Sequence, residues 1–135
     1  EKRRLMNRKE LSKKKIYITR NSSKADPNKS IKYCIISDLN LIDNWQRVVA
    51  VFVTGALWQL KQFPYDTPAE IFQHIKGFHL HFMDDKLNKN IKSWNIKKLA
   101  LSKTQRYEDR SLVLSFWRDL ISWIKSQQNK QFLEY

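Results

Sequence analysis

The apolar residues of this chain fall into short runs typical of strands and two longer stretches with helical spacing. Residues 31–37 are rich in β-branched and aromatic side chains and end at a turn-forming sequence, so they are predicted to form a strand. Residues 47–54 are apolar at nearly every position, which predicts a central strand covered on both faces in an α/β sheet. Gly55 closes this strand, and residues 56–60 are interpreted as a hairpin or a return strand.

Start signals for a helix coincide at residues 67–70. Thr67 supplies a hydroxyl N-cap, Pro68 stands at the first helical position, and Glu70 completes a capping box. Gly77 lies where a C-cap glycine is expected. The sequence therefore predicts a helix with one face in the core. The apolar residues with helical spacing are Ile71, Phe72, Ile75 and Phe78.

Two more strands and a long helix are predicted in the second half of the chain. Residues 78–82 alternate strictly between apolar side chains and His79 and His81, as a half-buried strand requires. Residues 94–101 are predicted to form another strand, and Asp109 is the expected N-cap of an amphipathic helix. The apolar stripe of that helix is Leu112, Phe116, Leu120 and Ile124. Alternating strands and helices predict an α/β fold with a largely parallel or mixed sheet.

Length and composition indicate one folded domain after a basic segment. The chain has 135 residues, of which 41% are apolar and 13% aromatic, too hydrophobic for a disordered protein. Residues 1–30 hold eleven basic and three acidic residues, a net charge of +8, and are rich in turn-forming residues. We predict a flexible basic segment over residues 1–30 and a globular domain over residues 31–135.

The net charge of +13 predicts anionic partners. Nucleic-acid phosphates, phosphorylated peptides, anionic lipid and acidic protein segments are all attracted by this positive charge. Composition does not distinguish among them. A membrane partner is not expected, because the longest apolar run, residues 48–53, is far shorter than a membrane-spanning helix.

No enzyme motif is found, and no cofactor or metal is expected. The two glycines, Gly55 and Gly77, are too far apart for a phosphate-binding loop or a dinucleotide fingerprint. His79 and His81 share one strand face but lack an evident third ligand, and are interpreted as half-exposed strand residues or partner contacts. Cys34 lies in an apolar run and is expected in the core, as in proteins of a reducing compartment.

Specific residues between Trp45 and Leu60 resemble the C-terminal domain family of parafibromin. The resemblance rests on residues 45–52, Gly55 and residues 58–60, and it continues at Pro68. Further matching residues are Ile71, Phe72, Ile75 to His79, Trp94 to Ile96, Leu99, Leu101, Arg106, Asp109, Phe116 and Trp117. This chain departs from the family at Gln46, where aspartate is common, and at residues 1–30, where the family usually has an apolar strand, a turn and a helix.

The resemblance implies a three-layer, small-GTPase-like α/β fold without nucleotide-binding motifs. It also implies a non-catalytic subunit of the nuclear polymerase-associated-factor complex, which binds other subunits, supports transcription elongation and promotes histone modification. Family members are thought to recognise phosphorylated repeats of the RNA polymerase II tail and of an elongation factor, which a positive surface suits.

Candidate residues for phosphate or partner binding are basic side chains and one tryptophan that lies beyond a predicted strand. Trp58 follows a strand end, where ligand crevices of open α/β sheets form. The candidate phosphopeptide- and partner-binding residues are Arg47, Trp58, Lys61, Lys103, Arg106 and Arg110. The alternative is a general nucleic-acid-binding module whose partner is RNA, DNA or chromatin. In this interpretation residues 13–15 and Arg20 bind the phosphate backbone, and exposed aromatic rings stack on bases.

Overall fold

The computed structural model describes residues 15–21 and 30–127. The chain divides into two compact units, residues 1–44 and residues 45–134, and each is described by itself.

The first unit contains an antiparallel hairpin. Strand β1 (Ile16–Asn21) pairs with strand β2 (Ser30–Ile35), so that Ile16 lies opposite Ile35. The strand predicted at residues 31–37 is thus confirmed, with its end two residues earlier. Cys34, which was predicted in the core, is an exposed free thiol, because it lies on the uncovered face of a two-stranded ribbon.

The segment predicted to be flexible is described only in part. Residues 15–21 of it include strand β1, whereas residues 1–14 and 22–29, with Lys13 and Lys14, lie outside the described residues. The division of the chain at residue 30 stays a prediction.

The second unit is built on a parallel sheet of three strands. Strands β3 (Ala50–Phe52), β4 (Lys76–Phe82) and β5 (Lys97–Leu101) are hydrogen-bonded in the order β3-β4-β5. The predicted α/β class with a parallel sheet is therefore confirmed. In the described sheet the central position belongs to β4, whereas the sequence placed residues 47–54 there.

Within the described residues, three helices accompany this sheet: α1 (Pro68–His74), α2 (Lys89–Ser93) and α3 (Asp109–Ser126). Phe78 of β4 contacts Phe116 of α3, whereas the neighbouring Gly77 approaches Phe72 of α1. Because successive strand residues point to opposite faces, α1 and α3 cover opposite faces of the sheet. This arrangement confirms the predicted three layers.

Helix α1 begins as its sequence signals predict and ends before Gly77. The Thr67 hydroxyl accepts the Glu70 N–H at 3.2 Å, and the Glu70 carboxylate accepts the Asp66 N–H at 3.1 Å. Ile75 is the C-cap, so the prediction that Gly77 caps the helix was wrong. Gly77 lies buried in β4, where an added Cβ would come within 2.4 Å of the Ile96 Cγ2 atom. Its role is to let α1 approach the sheet.

The chain after β3 forms a 3₁₀ turn instead of the predicted hairpin or return strand. Residues Leu57–Leu60 make this turn, and β3 itself is shorter than predicted because Trp45–Arg47 forms another turn. The Gln59 side-chain amide donates to the Phe52 carbonyl at 3.1 Å and accepts the Thr54 N–H at 2.9 Å. One side chain thus substitutes for a neighbouring strand at the outer edge of β3.

The last strand and the last two helices differ in detail from the prediction. Strand β5 starts at Lys97, three residues later than predicted, because Trp94 caps α2. The sequence pattern missed α2, since Ile91 is its one buried residue. Asp109 is the first residue of α3 and binds Arg106 instead of capping the helix, so that predicted cap was wrong.

Replacement of Gly77 tests the close approach of α1. Gly77→Ala should lower the free energy of unfolding by about 1–3 kcal/mol, because the methyl group meets the buried Ile96 and Phe72 side chains. Urea denaturation followed by tryptophan fluorescence measures this, and Gly77→Ser should cost more. Unchanged denaturation midpoints would contradict the packing described.

Replacement of Gln59 tests the edge contact. Gln59→Ala should lower the free energy of unfolding by about 1–2 kcal/mol, because it removes hydrogen bonds to Phe52 and Thr54. Thermal unfolding followed by circular dichroism gives the comparison with the exposed neighbour Gln62→Ala, which should change stability by less than about 0.5 kcal/mol. Equal effects of the two substitutions would argue against the edge role.

Candidate anion-binding surface

The loops that follow the three parallel strands leave the same edge of the sheet. Residues 53–56 follow β3, residues 83–88 follow β4 and residues 102–105 follow β5. Open α/β sheets bind ligands in crevices at this carboxyl edge. Five of the six candidate residues come after the ends of strands: Trp58 and Lys61 after β3, and Lys103, Arg106 and Arg110 after β5.

Two of the candidate cations meet over one aromatic ring. The Lys103 ammonium lies 5.2 Å from the centroid of the Phe82 ring, and the Arg106 guanidinium carbon lies 5.9 Å from it. Such contacts attract a cation to the negative face of the ring. We call Phe82, Lys103 and Arg106 the Phe82 cluster. The sequence pattern missed Phe82 as a site residue, since its alternation with polar neighbours indicated only a strand.

The turn after β5 holds the two cations in position. Ser102 is buried, and its hydroxyl accepts the Gln105 N–H at 2.9 Å. This hydrogen bond closes the turn between Lys103 and Arg106. Arg110 is exposed in the first turn of α3, four residues after Arg106.

Each cation of the Phe82 cluster has one carboxylate partner, and this pairing does not use all of its N–H donors. The Lys103 ammonium lies 3.3 Å from Asp84, and this hydrogen bond holds the pKa of the Asp84 carboxyl below its usual value. The Arg106 Nε atom donates to one oxygen of Asp109 at 2.9 Å, and the Nη2 atom lies 2.8 Å from the same oxygen. Lysine has three N–H donors and arginine has five, so each side chain keeps N–H groups that can bind a further anion.

The other candidate residues lie on different elements. Trp58 is 72% exposed in the turn Leu57–Leu60, beside Leu57 at 57% exposed. Lys61 is exposed directly after this turn, and Arg47 is exposed in the turn Trp45–Arg47. The structure thus brings Lys103 and Arg106 together and places Trp58 with Lys61 elsewhere.

The remaining tryptophans contribute mainly to packing. Trp45 contacts Phe63 at 4.8 Å between ring centroids, and Trp94 contacts Phe72 at 5.6 Å. Trp117 is buried in α3. These three tryptophans therefore contribute to packing within the second unit, whereas Trp58 is exposed.

A polar groove opens on the α1 side of β4, where β3 has already ended. Its volume is about 310 Å³, and both histidines of β4 are half-buried in its lining. The lining residues are Thr54, His79, Leu80, His81, Asp85, Lys86, Leu87 and Asn88. No cluster of three or more potential metal ligands is found among the described residues. None of the helices described is long and apolar enough to span a membrane.

The parallel sheet with helices on both of its faces defines a three-layer α/β domain. The chain matches the family described as "RNA pol II accessory factor, Cdc73 family, C-terminal" over residues 1–123. It belongs to this family, and the resemblance to parafibromin is confirmed.

Individual relatives agree with this assignment. The chain is 33% identical over 96 residues to cell division control protein 73 of Saccharomyces cerevisiae, covering 69% of this chain and 24% of the relative. It is 43% identical over 89 residues to the CDC73 homolog of Arabidopsis thaliana, covering 64% and 21%. With cell division cycle protein 73 of Caenorhabditis elegans it shares 30% identity over 122 residues, covering 90% and 24%. The chain thus spans about a quarter of the length of these relatives.

A solved structure shows the same fold. The conserved domain of yeast Cdc73 superposes with a TM-score of 0.76 at 29% sequence identity, covering 86% of this chain and 74% of that one. The predicted small-GTPase-like fold is confirmed by this likeness.

Proposed function

We propose that this chain is a non-catalytic protein-binding module of a nuclear transcription elongation complex. It docks to RNA polymerase II and to elongation factors through phosphorylated repeats, and it supports elongation and co-transcriptional histone modification. The Phe82 cluster is the observation that carries this proposal, together with membership of a family of RNA polymerase II accessory factors.

The chemistry of the cluster suits a phosphorylated side chain. A phosphate carries about −1.5 to −2 charges and three acceptor oxygens, so it competes for Lys103 and Arg106 better than a single carboxylate does. The planar Arg106 guanidinium can hold a phosphate through two parallel hydrogen bonds. Arg110, one helical turn beyond Arg106, adds positive charge for the flanking peptide.

The second group of candidate residues suits contacts with protein surfaces. Trp58 and Leu57 expose apolar area next to the positive charge of Lys61, and exposed aromatic and aliphatic side chains of this kind are typical anchors of protein interfaces. We assign Arg47, Trp58 and Lys61 to contacts with other subunits of the polymerase-associated-factor complex.

Arg106→Gln should weaken binding of a phosphorylated polymerase-tail repeat peptide at least tenfold, since a charged hydrogen bond contributes about 1.5–3 kcal/mol. Binding of the unphosphorylated peptide should change little. Fluorescence anisotropy at physiological salt measures both peptides. The matched control is Arg118→Gln, which removes an equal charge from an exposed position of α3. If both variants bind the phosphopeptide equally well, the cluster is not the phosphate site.

Asp84→Asn should strengthen binding of the same phosphopeptide about threefold at low salt. The substitution releases Lys103 from its carboxylate partner and removes a negative charge near the phosphate, and low salt screens this exposed interaction least. Asp43→Asn removes an equal charge from an exposed residue of the first unit and should have little effect. Weaker binding by Asp84→Asn would mean that Asp84 positions Lys103 for the phosphate instead of competing with it.

A further inference from the structure

Residues 86–98 form a basic segment without acidic residues, and none of them belongs to the Phe82 cluster. This segment contains five lysines and no acidic residue, a net charge of +5. Residues 31–135 as a whole have fifteen basic and ten acidic residues, also a net charge of +5. Outside these thirteen residues, positive and negative charges therefore balance over the rest of that span.

Four of these lysines have no carboxylate partner among the described residues. Lys97 is the exception, since its ammonium lies 3.3 Å from Asp119 of α3. Lys89 and Lys92 are exposed and lie about one turn apart on α2. Lys86 lines the polar groove, and Lys98 lies opposite His79 in the register of β4 and β5. We call Lys86, Lys89, Lys92 and Lys98 the lysine surface.

The groove beside the lysine surface contains two imidazole rings held in place by backbone carbonyls. The Nδ1 atoms of His79 and His81 lie 2.7 Å from the carbonyl oxygens of Val53 and Phe82. The ring centroids are 5.5 Å apart with 17° between the planes. With Nδ1 donating to a carbonyl, each Nε2 atom is left for a ligand.

Hydrogen bonds fix the lysine-bearing helix next to this groove. The Asn90 side chain donates to the Gly55 carbonyl at 2.8 Å, and the Asn88 side chain accepts the Asn90 N–H at 2.7 Å. The groove's acidic side chain, Asp85, accepts the Phe82 N–H at 2.9 Å and keeps its negative charge, so four lysines and one carboxylate leave a net charge of +3. The lysine surface and the groove therefore present positive charge and planar rings together.

We propose that the lysine surface binds the phosphate backbone of single-stranded nucleic acid, with an unpaired base entering the histidine-lined groove. Proteins that bind single-stranded nucleic acid combine a positive surface along the sugar-phosphate backbone with aromatic rings on which bases stack. Amide and hydroxyl groups of Asn88 and Thr54 in the lining can bond to base edges. A duplex cannot offer such a base without unpairing it. This site uses none of the residues assigned to phosphopeptide binding.

Removal of the lysines tests the backbone contacts. The complete 135-residue chain is titrated into a fluorescein-labelled twelve-nucleotide RNA at several salt concentrations, as wild type and as Lys86→Gln/Lys89→Gln/Lys92→Gln. The variant should bind at least tenfold more weakly at low salt. The slope of log affinity against log salt should fall by about 2, since each single-strand phosphate contact contributes about 0.7.

A control with equal charge removes three cations elsewhere, Lys76→Gln/Arg118→Gln/Lys125→Gln. It should keep the wild-type slope and most of the affinity. Equal losses in both triple variants would overturn the site and leave only general attraction by net charge. Competition by polyglutamate that matches competition by unlabelled RNA, charge for charge, would also overturn it and indicate an acidic protein partner.

Substitution of His81 tests the entry of a base. Wild type should bind the RNA more tightly than an abasic strand of equal length, and His81→Ala should lose this preference. His81→Phe should keep it, because a phenyl ring still stacks. No preference in the wild type would refute the base-binding part. Phosphopeptide binding should be unchanged in the lysine triple variant, so the two proposals fail or stand separately.

Discussion

Burial of strand β4 on both faces is the constraint on which the second unit depends. Phe78 is fully buried; its ring lies 4.6 Å from the tilted Phe116 ring of α3 and stacks 5.6 Å from the Phe52 ring of β3. On the other face, the absence of a side chain at Gly77 lets Phe72 of α1 and Ile96 reach the strand backbone. An aromatic ring on one side and a bare backbone on the other thus fix both helices against one strand.

The same strand separates two polar surfaces at its carboxyl end. Phe82 points to the α3 side and supports the cations of the Phe82 cluster, whereas His79 and His81 point to the α1 side and line the groove. Because the side chains of successive strand residues point to opposite faces, the two proposed sites lie on different sides of the sheet. A module that holds phosphorylated protein repeats on one side and a single strand of nucleic acid on the other would suit a complex that travels with a polymerase.

The sequence predicted an element correctly where the interactions that form it lie between residues close together in the chain. The start of α1 was predicted correctly, since its signals lie within four consecutive residues, Thr67 to Glu70. The 3₁₀ turn at Leu57–Leu60 was not, because it depends on the Gln59 side chain bonding to β3, and an apolar pattern does not report such a contact. Of the candidate site residues, Lys103 and Arg106 were predicted as cations, but their common support on Phe82 was not.

The sequence by itself determined the α/β class, the family and the net positive charge, since these follow from periodicity, motif and composition. The tertiary structure alone decided which charges act together. Lys97 is neutralised by Asp119 and Lys103 is shared with Asp84, whereas Lys89 and Lys92 face no described carboxylate. Pairing of charges is a matter of distances between side chains far apart in the chain, and no count of residues along a sequence contains those distances.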